Sequence, residues 1–204
     1  NSIGIRNWIA NERPVYGLET NTDVPNYQRL IDFTYDLSDP DPLSRRQFIE
    51  DTINVDMMIR AFAVSIFLGN PDDYRGNANN YYIYFDFDGV FHYIPFDFDH
   101  SLGQGWNGSP VFIDYSLGND IYIWEGNGFG EYTDDIPLID NVLLEYEDYQ
   151  ILYEDYLEQF ILDGTFSYEG FTQLFNQSYS IYGDEFWMAN DKEHYFTTKI
   201  ANVL

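Results

Sequence analysis

The spacing of apolar residues predicts helices in the first half of the chain. Helical periodicity begins at residues 26–33 and is interrupted by the turn-rich segment 38–42. It resumes over residues 44–69, where Asn54 predicts a break, so we expect two helices there. We expect Ser44 to cap the first of these two, because a serine hydroxyl can accept a backbone N–H at the start of a helix.

Residues 57–68 are apolar on nearly every side. A helix of this kind is stable when other elements surround it, so we expect it to be buried within the fold. The end of this helix delivers the chain to a polar loop that begins at Asn70.

A β-hairpin is predicted after this loop. Residues 80–85 and 90–95 are rich in Tyr, Phe and Ile, which favour strands. The segment Asp86-Phe-Asp-Gly89 lies between them and carries an Asp-Gly pair, which favours a tight turn.

Two segments lack a clear period. Residues 1–25 mix Gly, Pro, Asn and Thr, which predicts an irregular lead-in segment or a linker from a missing N-terminal lobe. Residues 101–135 carry many Gly, Asn and Asp residues and predict a long loop, with short strands around 111–113 and 121–124. Loops of that length usually serve a site.

Helical spacing returns over residues 136–204. Together with the hairpin, the pattern predicts an α+β fold that is mainly α-helical, with residues 26–204 in one compact unit. The candidate helices of this tail are residues 137–149, 149–162, 168–182 and 192–203.

Composition supports a folded chain and narrows its partners. The 204 residues include 19 Tyr, 17 Phe and 4 Trp, which supply ample surface for a core. The formal net charge is −26, which argues against nucleic acid and anionic membranes, because both are bound through Lys and Arg. The charge favours a solvated acidic surface that keeps the aromatic-rich protein soluble, and the sharper alternatives are metal binding or a basic protein partner. The chain has no cysteine and no apolar run long enough to span a membrane.

The polar loop carries a candidate catalytic carboxylate. Asp72, within Asn70-Pro-Asp72, is placed to orient a substrate hydroxyl and to accept its proton during phosphoryl transfer. The structural alternative is that Asp72 and Asp73 only form the turn after the helix, as Asp residues commonly do.

An amide metal ligand is predicted shortly afterwards. We choose Asn80, which directly precedes the strand, as the amide that holds a divalent cation. Asn77 is the second choice, because ordinary kinases place this Asn five residues after the catalytic Asp. The alternative for both is an amide that satisfies the backbone of its own loop.

Two further carboxylates follow the second strand. Asp97 and Asp99 alternate with aromatic residues, so on an extended backbone both carboxylates lie on one face, and neighbouring aromatics suggest that they are buried. The repulsion between two such charges is offset by a bound Mg²⁺, which predicts a metal site. The alternative is a solvent-facing strand edge.

Three blocks of the sequence resemble, in order, the spore-coat CotH kinase family, whose members have an atypical protein-kinase fold. Residues 54–72 look like the family's helix leading into an Asn-x-Asp loop. Asn79-Asn-Tyr-Tyr-Ile-Tyr84 is similar to its Asn-Tyr-Tyr-Leu-Tyr strand. The run Ile94-Pro-Phe-Asp-Phe-Asp99 is similar to its Ile-Pro-Trp-Asp-x-Asp signature. The resemblance covers residues 54–204 and is looser in the helical tail.

The resemblance implies a role for each candidate residue. Asp72 corresponds to the catalytic Asp, Asn80 to the metal-binding amide, and Asp97 to the carboxylate that bridges metal and nucleotide phosphates. It implies that Asp99 supports this site or binds a second metal. ATP with Mg²⁺ or Mn²⁺ is the implied cofactor, and the implied fold is a protein-kinase-like C-terminal lobe with the hairpin at its active site.

One kinase component is missing from the sequence. Kinases also use a Lys on an N-lobe strand, paired with a helical Glu, to hold the α- and β-phosphates. The two lysines here, Lys192 and Lys199, lie in the tail, far from the hairpin in sequence. We therefore expect a C-terminal lobe that is weakly active or inactive alone, with its nucleotide-anchoring lobe elsewhere.

The resulting expectation is a Ser/Thr protein kinase that acts on secreted, cell-surface or spore-coat proteins. Two readings from other classes stay open. One is a cell-surface adhesin, for which the Tyr-rich residues 120–132 would suit a protein-binding surface. The other is a metal-binding structural module without catalytic activity.

Overall fold

The computed structural model describes residues 9–10, 13–14, 16–76, 79–104, 117, 121–122, 136–183 and 192–204. Over these residues the fold is mainly helical with small antiparallel sheets, which confirms the predicted α+β class. The elements in chain order are β1 (Ile9–Ala10), β2 (Arg13–Pro14), α1 (Gln28–Asp36), α2 (Pro42–Thr52), α3 (Val55–Leu68), β3 (Tyr81–Phe85), β4 (Phe91–Pro95), a π-helix (Ile139–Leu143), α4 (Glu147–Leu162), α5 (Tyr168–Tyr182) and α6 (Glu193–Val203).

The predicted break between α2 and α3 is confirmed. Ile53 is extended and forms an isolated bridge to Phe91 of β4. The backbone N–H of Asn54 donates to the Phe91 carbonyl over 3.0 Å, and the Asn54 side chain accepts the N–H of Met57, capping α3. The break therefore anchors the hairpin to the start of the central helix.

The prediction of Ser44 as the cap of α2 is wrong. The N-cap is Asp41, whose carboxylate accepts the Leu43 N–H, and Pro42 occupies the first turn. Ser44 lies inside the helix and its hydroxyl donates to Asp41 over 2.8 Å. Proline fits the first helical position because its missing N–H is not needed there, so the helix begins three residues earlier than a Ser44 cap would place it.

Helix α3 is the centre of the packing, as predicted. It contacts β4 on one side and α4 on another. Its buried side chains are Met58, Ile59, Phe62, Ala63, Ser65, Ile66 and Phe67. Only a narrow strip faces solvent, and Met57 and Val64 lie there.

The predicted hairpin is confirmed, with Tyr81 opposite Pro95 and Phe85 opposite Phe91. The Asp86 carboxylate closes the turn by accepting the Val90 N–H and by pairing with the His92 ring. One face of the hairpin packs against Phe33 of α1, whose ring stacks on Phe91 at a centroid distance of 4.5 Å.

The first helix of the tail differs from its prediction over residues 137–149. A π-helix covers Ile139–Leu143, and α4 begins only at Glu147. The chain breaks because Tyr146 is extended and its hydroxyl donates to the Pro42 carbonyl of α2 over 2.9 Å. The remaining tail helices match their predicted positions within one or two residues.

Several predictions fall outside the described residues. The strand around 111–113 is one of them, and of the strand at 121–124 only residues 121–122 are described, as a bend. The division into an irregular segment 1–25 and a unit 26–204 stays a prediction. No helix among the described residues is long and apolar enough to cross a bilayer.

Arg46 links α2 to α4, and its removal should destabilise the protein in a pH-dependent way. Its guanidinium forms two hydrogen bonds to Asp148, of 2.8 and 2.7 Å, and lies 4.1 Å from the Tyr149 ring centroid. The Arg46 side chain lowers the pKa of Asp148 below its usual 3.8. The lowered pKa means that this pair stabilises the fold above about pH 4 and is lost as pH falls through the lowered value.

We expect Arg46→Gln to lower the free energy of unfolding by about 1–2 kcal/mol at pH 7. The substitution removes exposed ion pairs with Asp148 and Glu50 and cation–π contacts with Tyr146 and Tyr149. Urea unfolding of both proteins at pH 7 and at pH 3 measures this loss. The difference between them should shrink at pH 3, and a difference that does not change with pH would contradict the assignment to Asp148.

Candidate active site

The polar loop starts from a helix end that other segments hold in place. Gly69 ends α3 in the left-handed conformation, with φ of 59°. The last carbonyls of a helix lack partners within it. Here the Phe67 and Leu68 carbonyls accept hydrogen bonds from the Tyr195 hydroxyl and the Leu102 N–H, over 2.9 and 2.7 Å. The Ser65 carbonyl, which also accepts the Gly69 N–H, accepts a further bond from the Arg75 guanidinium over 2.8 Å. The start of the loop is therefore fixed from three directions.

The Asn70 side chain joins the loop to the chain beyond the hairpin. Asn70 is fully buried. Its Oδ1 accepts the N–H of Asp72 over 3.0 Å, and its Nδ2 donates to the carbonyl of Asp97 over 3.0 Å. Because both bonds end on one carboxamide, whose O and N are about 2.3 Å apart, the Asp72 nitrogen and the Asp97 oxygen lie within about 8 Å of each other.

The structure also brings Asp72 and Asn80 together. The Nδ2 of Asn80 donates to the Asp72 carboxylate and to the Asp72 carbonyl, each over 2.9 Å. Asn79 donates to the same carboxylate oxygen over 3.2 Å. Asp72 is only 9% exposed, so its charge is held by amide N–H groups in a partly dry position.

The alternative role for Asp72 and Asp73 was to form the turn after the helix. The carboxylate that does so is that of Asp73. Its carboxylate accepts the N–H groups of Arg75 and Gly76 over 3.0 and 2.8 Å. It also pairs with the Arg75 guanidinium at 2.6 Å, and both side chains are almost fully buried. A buried ion pair with this many hydrogen bonds fixes the loop conformation because neither charge can be left alone without a large cost.

Asn80 and Asp97 flank the open end of the hairpin, one before its first strand and one after its second, and both have the same unusual backbone conformation. Their φ angles are 54° and 55°, in the left-handed region that Asn and Asp tolerate best among residues with side chains. The Phe96 N–H donates to the Asn80 carbonyl over 3.0 Å, directly beside both. Backbone strain of this kind is concentrated at functional sites.

The prediction of an extended, buried Asp97–Asp99 segment is wrong. Strand β4 ends at Pro95, and the left-handed Asp97 ends the alternation of faces. Asp97, Asp99 and Phe96 are all exposed. The period-two argument fails because it was applied past the last residue that pairs with β3.

The oxygens that a metal would need are available at this end of the hairpin. The Asn80 Oδ1 and the Asp97 carboxylate accept no hydrogen bond from any residue that the structure describes. The Asp99 carboxylate lies 3.5 Å from the His100 ring. Across the described ranges, no three His, Cys, Asp or Glu side chains form a metal-binding cluster. The donor set fits Mg²⁺, which is typically held by one or two carboxylates while substrate phosphates complete its coordination.

Both lysines of the sequence are buried. Lys199 of α6 is fully buried, and burial together with the Arg75 charge lowers the pKa of Lys199 from 10.5 to about 7. Lys192 is also buried and donates to the side chain of Gln104 over 3.2 Å. Because both side chains are buried, neither lysine presents its charge at the surface.

Sequence reasoning assigned no role to Asn70, Asn79 or Arg75. Asn70 and Asn79 belong to the motifs quoted above, so their position in the sequence could have marked them as amides near Asp72. The role of Arg75 had no such signal, because its partner Ser65 lies in the preceding helix. Asn77, the second choice for the metal ligand, lies outside the described residues. The roles of Asp72, Asn80, Asp97 and Asp99 stay predictions.

The fold and site define a class: a mainly helical protein in which amide and carboxylate side chains meet at the open end of a hairpin. In a comparison with known proteins, the family model described as CotH kinase protein matches residues 9–203. This chain therefore belongs to the CotH kinase family, and the match begins well before residue 54, where the motif resemblance starts. No curated protein and no solved structure matches the chain.

Removal of the Asn70 amide should destabilise the protein strongly. Asn70→Ala leaves the Asp72 N–H and the Asp97 carbonyl without their partner, so we expect a loss of about 2–4 kcal/mol in urea unfolding. Asn141→Ala is the matched control, because this half-buried amide makes one hydrogen bond to the part of the chain that the structure describes, of 3.2 Å to the Leu37 carbonyl. We expect about 1 kcal/mol for the control. Equal losses in the two variants would contradict the bridging role.

Lys199 should make stability rise with pH. The folded pKa of Lys199, about 7, lies below its unfolded value, so between about pH 7 and 10 the unfolded chain binds a proton that the folded chain does not. The free energy of unfolding of the wild type should therefore rise, relative to Lys199→Met, by up to about 1.4 kcal/mol per pH unit in that window. Urea unfolding at pH 7 and pH 9 measures this. If the stability difference between the two proteins does not change with pH, the pKa of Lys199 is not lowered in the folded protein.

Proposed function

We propose that this chain carries the catalytic carboxylate and the metal-binding residues of a CotH-type protein kinase. The reaction is transfer of the ATP γ-phosphoryl group to a Ser or Thr hydroxyl of a secreted, cell-surface or coat protein, with Mg²⁺ or Mn²⁺. The observation that supports this most is the pair of contacts at Asp72: Asn80 on its carboxylate, and Asn70 between its backbone and Asp97.

Asp72 is the residue that handles the substrate hydroxyl. As the hydroxyl oxygen bonds to the γ-phosphorus, the bond to the bridging oxygen of ADP breaks and the hydroxyl proton passes to the Asp72 carboxylate. The amides of Asn79 and Asn80 fix the orientation of that carboxylate, so its position does not have to be found during the reaction.

Asn80 and Asp97 are the residues that would hold the metal, with Asp99 as a supporting carboxylate. The metal would neutralise charge on the phosphate oxygens. Asn80 has a double task in this arrangement: its Nδ2 orients Asp72, while its Oδ1 faces no competing donor among the described residues. This couples the position of the catalytic carboxylate to that of the metal ligand.

The nucleotide-anchoring lysine is supplied by another segment in this proposal. Lys192 and Lys199 are the only lysines of the sequence, and both are buried. Neither is placed to pair with nucleotide phosphates as the N-lobe Lys of kinases does. The chain thus acts as a C-terminal lobe and has weak activity or none by itself.

A protein-binding role without catalysis is the second candidate, and the outer face of the hairpin favours it. Tyr82 and Phe96 stack at a centroid distance of 4.5 Å, and Tyr84 and Ile94 are exposed beside them. Exposed aromatic residues of this kind are enriched in protein interfaces. The Tyr-rich residues 120–132, which first suggested an adhesin, lie mostly outside the described residues.

Phosphate transfer from labelled ATP separates these candidates. We expect the longest native form of the protein to label itself or a basic test protein in the presence of Mg²⁺ or Mn²⁺. Asp72→Asn and Asp97→Asn should each reduce the rate by at least 100-fold, since one removes the proton acceptor and the other a metal ligand. Asp88→Asn, at an exposed position of the hairpin turn, is the matched control and should retain full activity.

Two results would contradict the proposal. One is labelling that persists in both site variants, and the other is an equal loss in the Asp88 control. If no labelling occurs while partner binding survives Asp72→Asn and Asp97→Asn but fails in Tyr82→Ala, the protein-binding function is favoured instead.

A further inference from the structure

A groove lies at the opposite end of the hairpin from the candidate active site. It is formed by one face of α1, the end of α2 and the hairpin turn, and its volume is about 440 Å³. That volume is within the range of natural ligand pockets. The lining residues that carry the argument are Arg29, Asp32, Phe33, Asp36, Phe48 and Phe85.

The floor of the groove is aromatic and rigid. Phe33 is almost fully buried, and its ring centroid lies 5.5 Å from those of both Phe48 and Phe85. On its other side it stacks on Phe91 in the core. Side chains packed this way keep their positions before a ligand arrives, which lowers the entropic cost of binding.

One wall of the groove shows that a guanidinium fits against this floor. The Arg29 guanidinium lies 5.2 Å from the Phe85 ring centroid and donates to the Gly89 carbonyl over 2.6 Å. Gly89 has a φ of +89°, which residues with a side chain rarely adopt, and a Cβ there would displace the Arg29 guanidinium, because it would lie 2.0 Å from the Arg29 Nη2. The turn and α1 are therefore fitted to each other through this arginine.

The rim of the groove carries two carboxylates, those of Asp32 and Asp36, against the single guanidinium of Arg29. Asp32 and Asp36 lie one helical turn apart on α1, a spacing at which like charges repel. Asp36 is the last residue of the helix, where the helix dipole also disfavours a carboxylate. Its carboxylate forms no hydrogen bond or ion pair within the described ranges, and that of Asp32 accepts one from Gln28.

An aromatic floor under an acidic rim selects a cation on an apolar stem. The ring faces attract a guanidinium or ammonium group, the carboxylates pair with it, and the methylene stem covers the rings. The net charge of −26 draws basic segments toward the protein in general, and the groove supplies a specific position for one of their side chains.

We propose that this groove binds an arginine or lysine side chain of the protein substrate, as a docking site separate from the point of phosphoryl transfer. That the partner is a substrate rests on the proposed function. The binding chemistry of the groove is independent of it. Strands of five residues separate the groove from Asn80 and Asp97, which corresponds to about 15 Å. An extended substrate must therefore place its basic residue at least about five residues from the phosphorylated Ser or Thr.

Binding is tested without any catalytic step. The probe is a blocked peptide that contains Arg-Gly-Arg among Gly and Ser residues, and its twin carries citrulline, a neutral isostere, in place of arginine. We expect calorimetric titration of the full chain to detect the arginine peptide, and at least a tenfold weaker affinity for the citrulline twin. Failure of the arginine peptide to bind would overturn the proposal.

Charge-matched variants locate the binding. Asp32→Asn combined with Asp36→Asn should weaken arginine-peptide binding at least tenfold. The control, Asp155→Asn combined with Glu158→Gln, removes the same charge from exposed positions of α4 and should change the affinity less than twofold. Equal weakening in both pairs would show attraction by net charge alone and would overturn the groove assignment. Thermal melting confirms that each variant is folded.

The failure of the docking site can be told apart from failure of the kinase assignment. Asp72→Asn should abolish transfer and leave peptide binding unchanged. In an active protein, the double variant Asp32→Asn and Asp36→Asn should have a higher KM for a substrate with a basic residue five or more positions from its Ser. Its kcat should change little. An unchanged KM would overturn docking while leaving the kinase assignment intact.

Discussion

The candidate site depends on one buried side-chain amide, that of Asn70, whose oxygen and nitrogen must both form hydrogen bonds. The side chain of Asn70 has no access to water, so its oxygen and nitrogen each need a protein partner. They find these partners in segments 25 residues apart, at Asp72 and Asp97. A buried polar group left unpaired costs about 1–3 kcal/mol, so the pairing specifies where the loop and the end of the hairpin must lie.

This constraint works because α3 provides a fixed starting point. The helix is buried along most of its length, and its last carbonyls are held by Arg75, Tyr195 and Leu102. The donors come from the loop, from α6 and from the chain after β4, so three segments converge on one helix end. The loop of Asp72 therefore has a fixed scaffold behind it.

The sequence predicted the parts of the structure that depend on local patterns. Helix α3 and the hairpin were correct because their periodicity and their Asp-Gly turn act over a few residues. The proximity of Asp72 and Asn80 followed from motif order. By contrast, no local sequence pattern predicts the bridge made by Asn70 or the hydrogen bond from Arg75 to the Ser65 carbonyl, because both are tertiary contacts. The error at Asp97 arose because a strand pattern was extended into a left-handed residue.

The central claim is that the loop of Asp72 and the end of the hairpin at Asp97 form one metal–nucleotide site. Paramagnetic broadening by Mn²⁺ with a non-hydrolysable ATP analogue tests this directly in the amide NMR spectrum. The account predicts that the signals of residues 70–73, 79–80 and 96–99 broaden together, and that Asp97→Asn abolishes the effect in all three segments. Broadening confined to one segment, or unchanged in that variant, would contradict it.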